Sequence, residues 1–154
     1  MIIVMSDDLT NKTIQKILDE YNKAISSEGS LGKYFIIDIS KRHNLFVQAR
    51  QQYEVDEDDN VTWLDIHELE MTGQEYLTAP ELLTKNRIDN MHKFGWSIEF
   101  LSGNFSIQVT SDELSNGTVA ELIYDSYKIY EIPEKLINKS AKNYIIKGTL
   151  MNPF

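Results

Sequence analysis

Carboxylates are the side chains of this 154-residue chain with the most chemistry to offer, and they are unevenly spread. Ten of the 24 acids lie between Gln51 and Thr84: Glu54, Asp56, Glu57, Asp58, Asp59, Asp65, Glu68, Glu70, Glu75 and Glu81. That stretch has no Lys or Arg, so the other 14 acids and all 15 bases lie elsewhere, and a net charge of -9 comes from one segment. Asp56-x-Asp58-x-Asn60 begins like a calcium loop. Its sixth position, where such a loop needs Gly, is Val61, and its twelfth, where it needs a bidentate Glu, is His67. Calcium is therefore not expected there. A pair of carboxylates can also act as general acid and base, but only in a cleft that holds their pKa values apart. Acids crowded into a turn all stay ionised.

The remaining reactive types point the same way. His43, His67 and His92 show no paired ligand spacing, and His67 is expected to be a surface residue, raised in pKa if anything by the acids beside it. The absence of cysteine removes disulfides, thiolate zinc sites and cysteine nucleophiles. No G-x-S-x-G, P-loop or G-x-G-x-x-G occurs. The expectation is no enzyme, no cofactor and no metal. The acidic balance argues against direct binding of nucleic acid, whose phosphates it would repel. No apolar run reaches the roughly 20 residues of a membrane span, and the first residues lack the pattern of a signal peptide, so a cytoplasmic protein is expected.

Aromatic and aliphatic residues interleave with the acids: Tyr53, Trp63, Leu64, Ile66, Leu69 and Tyr76. Acid with aromatic suits a surface that both attracts and grips a basic protein. The candidate partner-binding residues are Tyr53, Glu54, Asp56, Glu57, Asp58, Asp59, Trp63, Asp65, Glu68 and Glu70. The alternative is a solvated hairpin tip, with Trp63 a core residue of its strand.

The elements that must position these residues follow from periodicity. Ile14, Ile17, Leu18, Tyr21 and Ile25 recur at helical spacing, so Leu9 to Ser26 is expected to be helical, ending at Gly29-Ser30-Leu31-Gly32. Tyr34 to Ile39 and Leu45 to Tyr53 form a hairpin around Ser40 to Asn44. Asp56 to Asn60 is the next turn and Val61 to Ile66 the third strand, which puts the acids at a hairpin tip. Thr78-Ala79-Pro80-Glu81 carries three start signals for a second helix, with Leu82, Leu83, Ile88, Met91 and Phe94 on its apolar side and Gly95 just past its end. Trp96 to Leu101 and Phe105 to Thr110 read as strands around Ser102-Gly103-Asn104. Val119 to Tyr130 separates polar from apolar better as a helix, although Asn116-Gly117 is a hairpin signal. Pro133 to Ile146 reads as a last helix. The whole is one α+β domain over residues 1–154, with a largely antiparallel sheet of about five strands and three to four flanking helices. The apolar stripes are used by one core, which predicts a monomer or weak dimer.

The passage Phe94-Gly95-Trp96-Ser97-Ile98-Glu99 followed by Gly103-Asn104-Phe105-Ser106-Ile107 is similar to the helix-to-hairpin region of some immunity proteins of bacterial contact-dependent and polymorphic toxin systems. The small acidic α+β architecture resembles them across most of the chain. This resemblance implies an antitoxin that neutralises a cognate toxin domain, often a basic nuclease, by protein–protein contact. The same element order resembles type III secretion chaperones, which would instead hold an extended effector segment.

Overall fold

In a computed structural model, which describes residues 9–25, 33–98, 102–137 and 144–148, six strands form one sheet in the order β4-β5-β3-β2-β1-β6. The strands are β1 (Lys33–Ser40), β2 (Leu45–Val55), β3 (Val61–Met71), β4 (Ser97–Ile98), β5 (Phe105–Val109) and β6 (Tyr144–Gly148), and every neighbouring pair is antiparallel. The helices are α1 (Asn11–Ile25), α2 (Lys85–Lys93), α3 (Ser111–Ser115) and α4 (Thr118–Ile129). The α+β class expected from the sequence is what forms.

Strand alternation divides the sheet into two faces. Phe35, Ile37, Val47, Ala49, Leu69 and Met71 are buried and join Ile14, Leu18, Leu114 and Ile123 of the helices in one core. The opposite face carries the pairs Tyr34/Arg50, Ile36/Gln48, Gln48/Glu70 and Arg50/Glu68. In α1 the expected stripe is the buried one, while Lys12, Lys16, Asp19 and Lys23 are exposed. In α4 Val119, Ile123 and Tyr127 are buried and Glu121, Asp125 and Lys128 exposed, which is the helical partition.

Two expectations need correction. The start signals at Thr78 to Glu81 produce only a 3-10 turn, Pro80–Leu82. The cap of α2 is Thr84, whose hydroxyl accepts from the Arg87 backbone N–H at 3.3 Å. The far end of that helix is as expected. Gly95 (φ 102) closes it, with its N–H on the His92 carbonyl and the Trp96 N–H on Met91, the double bond of a Schellman motif, but Phe94 is 44% exposed and not a core contact.

The helix expected over Pro133 to Ile146 is also replaced. Glu134–Leu136 is a 3-10 turn and Tyr144–Gly148 is β6, paired with β1 through Tyr34↔Lys147 and Ile36↔Ile145. The helix expected over Val119 to Tyr130 forms, and the hairpin signal Asn116-Gly117 joins it to another helix. Asn116 ends α3, a short helix that the sequence did not reveal, and Gly117 (φ 95) begins α4. The expected turn Gly29 to Gly32, together with Ser26, residues 99–101 and residues 138–143, lies outside the described residues.

Candidate partner-binding surface

The acidic segment sits on a two-stranded ribbon that runs past the rest of the sheet. Among the described residues, β1 accompanies β2 only as far as Tyr34↔Arg50, and β5 accompanies β3 only from His67↔Val109 inward. Among the described residues, the strand pairing of Gln51–Val55 and Val61–Ile66 is therefore between β2 and β3 only, through Tyr53↔Trp63, Glu54↔Thr62 and Val55↔Val61. Five residues of strand reach about 15 Å. The ribbon carries six acids and no Lys or Arg.

Its tip is a three-residue loop of the kind that closes on a left-handed residue. The Asp59 N–H donates to the Asp56 carbonyl at 3.1 Å, the Asp56 N–H to the Asn60 carbonyl at 3.0 Å, and Asp59 takes φ 61. The Asp56 carboxylate accepts from the backbone N–H of Asp58 and of Asn60, each at 2.9 Å, and from the Asn60 amide at 3.1 Å. Those bonds, the Asn60 pair above all, hold its pKa below the usual carboxylate range. Asp56 is thus the internal ligand of the turn, which leaves Glu57, Asp58 and Asp59 as its outward acids.

Behind the tip, Tyr53 and Trp63 face each other across the ribbon. Their ring centres are 5.0 Å apart and their planes at 61°, an edge-to-face pair. Trp63 is half-buried and belongs to the ribbon, not to the core. Val55, 47% exposed, and Val61 share that side by alternation, while Glu54 and Thr62 point the other way.

At the root of the ribbon the register breaks. Between Gln51↔His67 and Tyr53↔Trp63 lie Gln52 on one strand but Leu64, Asp65 and Ile66 on the other. The Gln51 side-chain amide bridges this bulge by donating to the Leu64 carbonyl at 3.1 Å. Asp65, here, is turned toward α3. It accepts from the Ser111 backbone N–H at 3.1 Å and from the Ser111 hydroxyl. The Ser111 hydroxyl is the first cause of the lowered pKa of Asp65.

His67 is fully buried, contrary to its expected place on the surface. Its Nδ1 is 2.9 Å from the Tyr21 hydroxyl and its Nε2 is 3.2 Å from Ser111 Oγ and 3.7 Å from Asp65. Burial pushes its pKa down, and the nearby Asp65 charge only offsets part of that. Burial also pushes the Tyr21 hydroxyl up, so it stays protonated. These partners assign one neutral tautomer: Tyr21 donates to Nδ1, Nε2–H donates to Ser111 Oγ, and Ser111 donates to Asp65. Ser111 is not activated by this arrangement. An acyl-transfer triad has its serine and carboxylate on opposite nitrogens of the histidine, whereas here both lie on Nε2 and tyrosine holds Nδ1.

The last two candidates, Glu68 and Glu70, are on the sheet's open face. Glu70 accepts from the Gln48 amide at 2.7 Å, and Glu68 lies 4.0 Å from Arg50. The structure therefore gathers Tyr53, Glu54, Asp56, Glu57, Asp58, Asp59 and Trp63 on the ribbon and places Asp65, Glu68 and Glu70 apart, in internal contacts. Sequence reasoning missed Val55 and Val61 as part of the same side, although their alternation with Tyr53 and Trp63 was there to be read.

Among the described residues, no group of three or more His, Asp and Glu is placed to hold a metal ion, and no helix is long and apolar enough to cross a membrane. A cavity of about 330 Å³ lies elsewhere, lined by Leu9, Tyr124, Tyr127, Lys128, Ile132 and Ile137 among others. Compared with protein-family models, with curated proteins and with solved structures, the chain matches none.

Proposed function

We propose that this is a cytoplasmic immunity protein that neutralises a toxin domain, a basic nuclease in the first instance, by presenting the Gln51–Ile66 ribbon to the cleft that would take nucleic acid. The observation that supports this reading is the base-free ribbon extending beyond the sheet, with outward acids at its tip and Trp63 behind them. A nuclease cleft is positive because it must neutralise phosphates, and carboxylates on a narrow projecting element meet the same Lys and Arg groups. Opposite charges also steer the encounter, raising association toward ~10⁸ M⁻¹s⁻¹ at low salt. Rapid capture suits an inhibitor that must act before the toxin does.

The test pairs this protein with the toxin domain encoded by the neighbouring reading frame. The variant Glu57→Gln/Asp58→Asn/Asp59→Asn removes the outward tip charge and leaves Asp56 to hold the turn. Expected are slower association and a flatter salt dependence. Unchanged association and salt dependence would reduce the tip to a solvated turn.

A further inference from the structure

We propose that the Trp63 side of the ribbon is an arginine-docking face, on which a basic partner lays a guanidinium over the indole and aliphatic side chains against Val55 and Val61. This rests on the ribbon being a docking element and specifies what it docks. Val55, Val61 and Trp63 occupy one side of a ribbon as apolar residues do when a second layer covers them. Yet Val55 is 47% exposed, and Trp63 is outside the core cluster. Among the described residues, the ribbon runs beyond the strands that would bring the helical layer over it. What covers this side has to suit both an indole and the outward carboxylates of the adjoining tip, Glu57, Asp58 and Asp59.

A neutral apolar partner satisfies only the first of these. A lysine satisfies the charge, but its ammonium is compact and strongly hydrated. A guanidinium is planar, weakly hydrated and able to stack on an indole while its N–H groups stay free to bond carboxylates. The fold supplies a comparison within itself. Tyr124 on α4 is capped by a cation from its own helix, Lys128 Nζ at 3.8 Å from the ring centre. Trp63 has no such neighbour in sequence, since no Lys or Arg occurs from Gln51 to Ile66. The cation for that ring comes from outside the ribbon.

The probe is a short synthetic peptide alternating arginine with valine, compared with the same peptide carrying lysine in place of arginine. Trp63 reports directly, because the other tryptophan, Trp96, is only 2% exposed and shielded from the peptide. The arginine peptide should quench the Trp63 emission and bind about fivefold more tightly than the lysine peptide. Trp63→Phe should retain part of that preference. Trp63→Ala should abolish it, as should Trp63→Leu, which keeps an apolar side chain and so controls for ribbon packing. If both peptides bind wild type equally, or if Trp63→Leu keeps the arginine preference, the proposal is overturned. Should the triple tip variant still weaken both peptides in that event, the acidic docking reading survives without it. If neither the tip nor the Trp63 variants alter binding, both readings fall together.

Discussion

The Tyr21 hydroxyl lies 2.9 Å from Nδ1 of His67, deep in the core, where the ribbon leaves the sheet. Through Ser111 the contact continues to Asp65, whose side chain is 67% exposed, so a neutral buried imidazole is joined to a charge in solvent. Helices α1 and α3 are thereby tied to β3 at the ribbon's root.

This arrangement sets a pH dependence. The folded pKa of His67 lies below its ordinary value of 6.5, so over that window the unfolded chain binds more protons than the folded one. The stabilisation is fully present above about pH 6.5 and is lost as pH falls toward the folded pKa. Thermal midpoints measured between about pH 7.5 and pH 5 should fall for the wild type. In His67→Gln the midpoint should be lower at neutral pH but fall less across the same range. An equal fall in both proteins would show that His67 does not carry it.

Trp96 and Ser126 make the second prediction. The indole N–H donates to the Ser126 hydroxyl at 2.8 Å, and both residues are buried. Ser126→Ala removes the acceptor and strands a donor away from water, a loss of about 1–3 kcal/mol. Urea denaturation should show a lower midpoint with an unchanged slope.

Gly73 fixes how the end of β3 meets the β4–β5 loop. A Cβ built there would lie 1.9 Å from the Gly103 carbonyl oxygen, and the Gly73 N–H donates to the Asn104 side chain at 2.8 Å. The clash is with backbone, which cannot swing aside. Gly73→Ala should therefore cost at least about 2 kcal/mol, read as a drop in thermal midpoint. A stability within error of the wild type would mean that the two loops are not in contact.

How far the sequence reveals this molecule depends on whether the signal is local. The stripes of α1 and α4 are periodic, and burial reproduces them. The tip of the β2–β3 hairpin also lies where alternation puts it, although β3 runs on to Met71, past the expected end at Ile66. Thr78 and Pro80 misplace the start of α2 because a 3-10 turn uses the same residues as a helix start, and Thr84 does the capping a turn later. Tyr144–Gly148 becomes a strand only because β1 offers it an edge, a fact of tertiary structure. His67 is misread because only the acids beside it are visible in sequence, while Tyr21 and Ser111, which bond its ring in the core, are 46 and 44 residues away. In the candidate surface the tip was legible and the dispersal of Asp65, Glu68 and Glu70 was not, since charge composition says nothing of which face a strand residue takes.

The tip supplies the last prediction, in which order and charge separate. Asp56 and Asp58 have the same charge and lie two residues apart, but only Asp56 accepts the bonds that close the turn. Asp56→Ala should release the Asp58 and Asn60 amides to fast hydrogen exchange while leaving the core amides of β2 and β3 protected, because no residue of the tip belongs to the core cluster of the described residues. Asp58→Ala removes an equal charge and should leave that exchange pattern as it was. Acid should reproduce the first result in the wild type. The lowered pKa of Asp56 means that its stabilising contribution is present above the ordinary carboxylate value of 3.8 and is lost as pH falls through the folded pKa. Asp59 tests the same turn from the backbone side. At φ 61 it takes the left-handed region that glycine enters without steric cost. Asp59→Gly should slow exchange at the tip, whereas Asp59→Val should speed it. If Asp56→Ala and Asp58→Ala behaved alike, the turn would be held by its backbone bonds alone, and the outward acids would lack the fixed geometry on which docking depends.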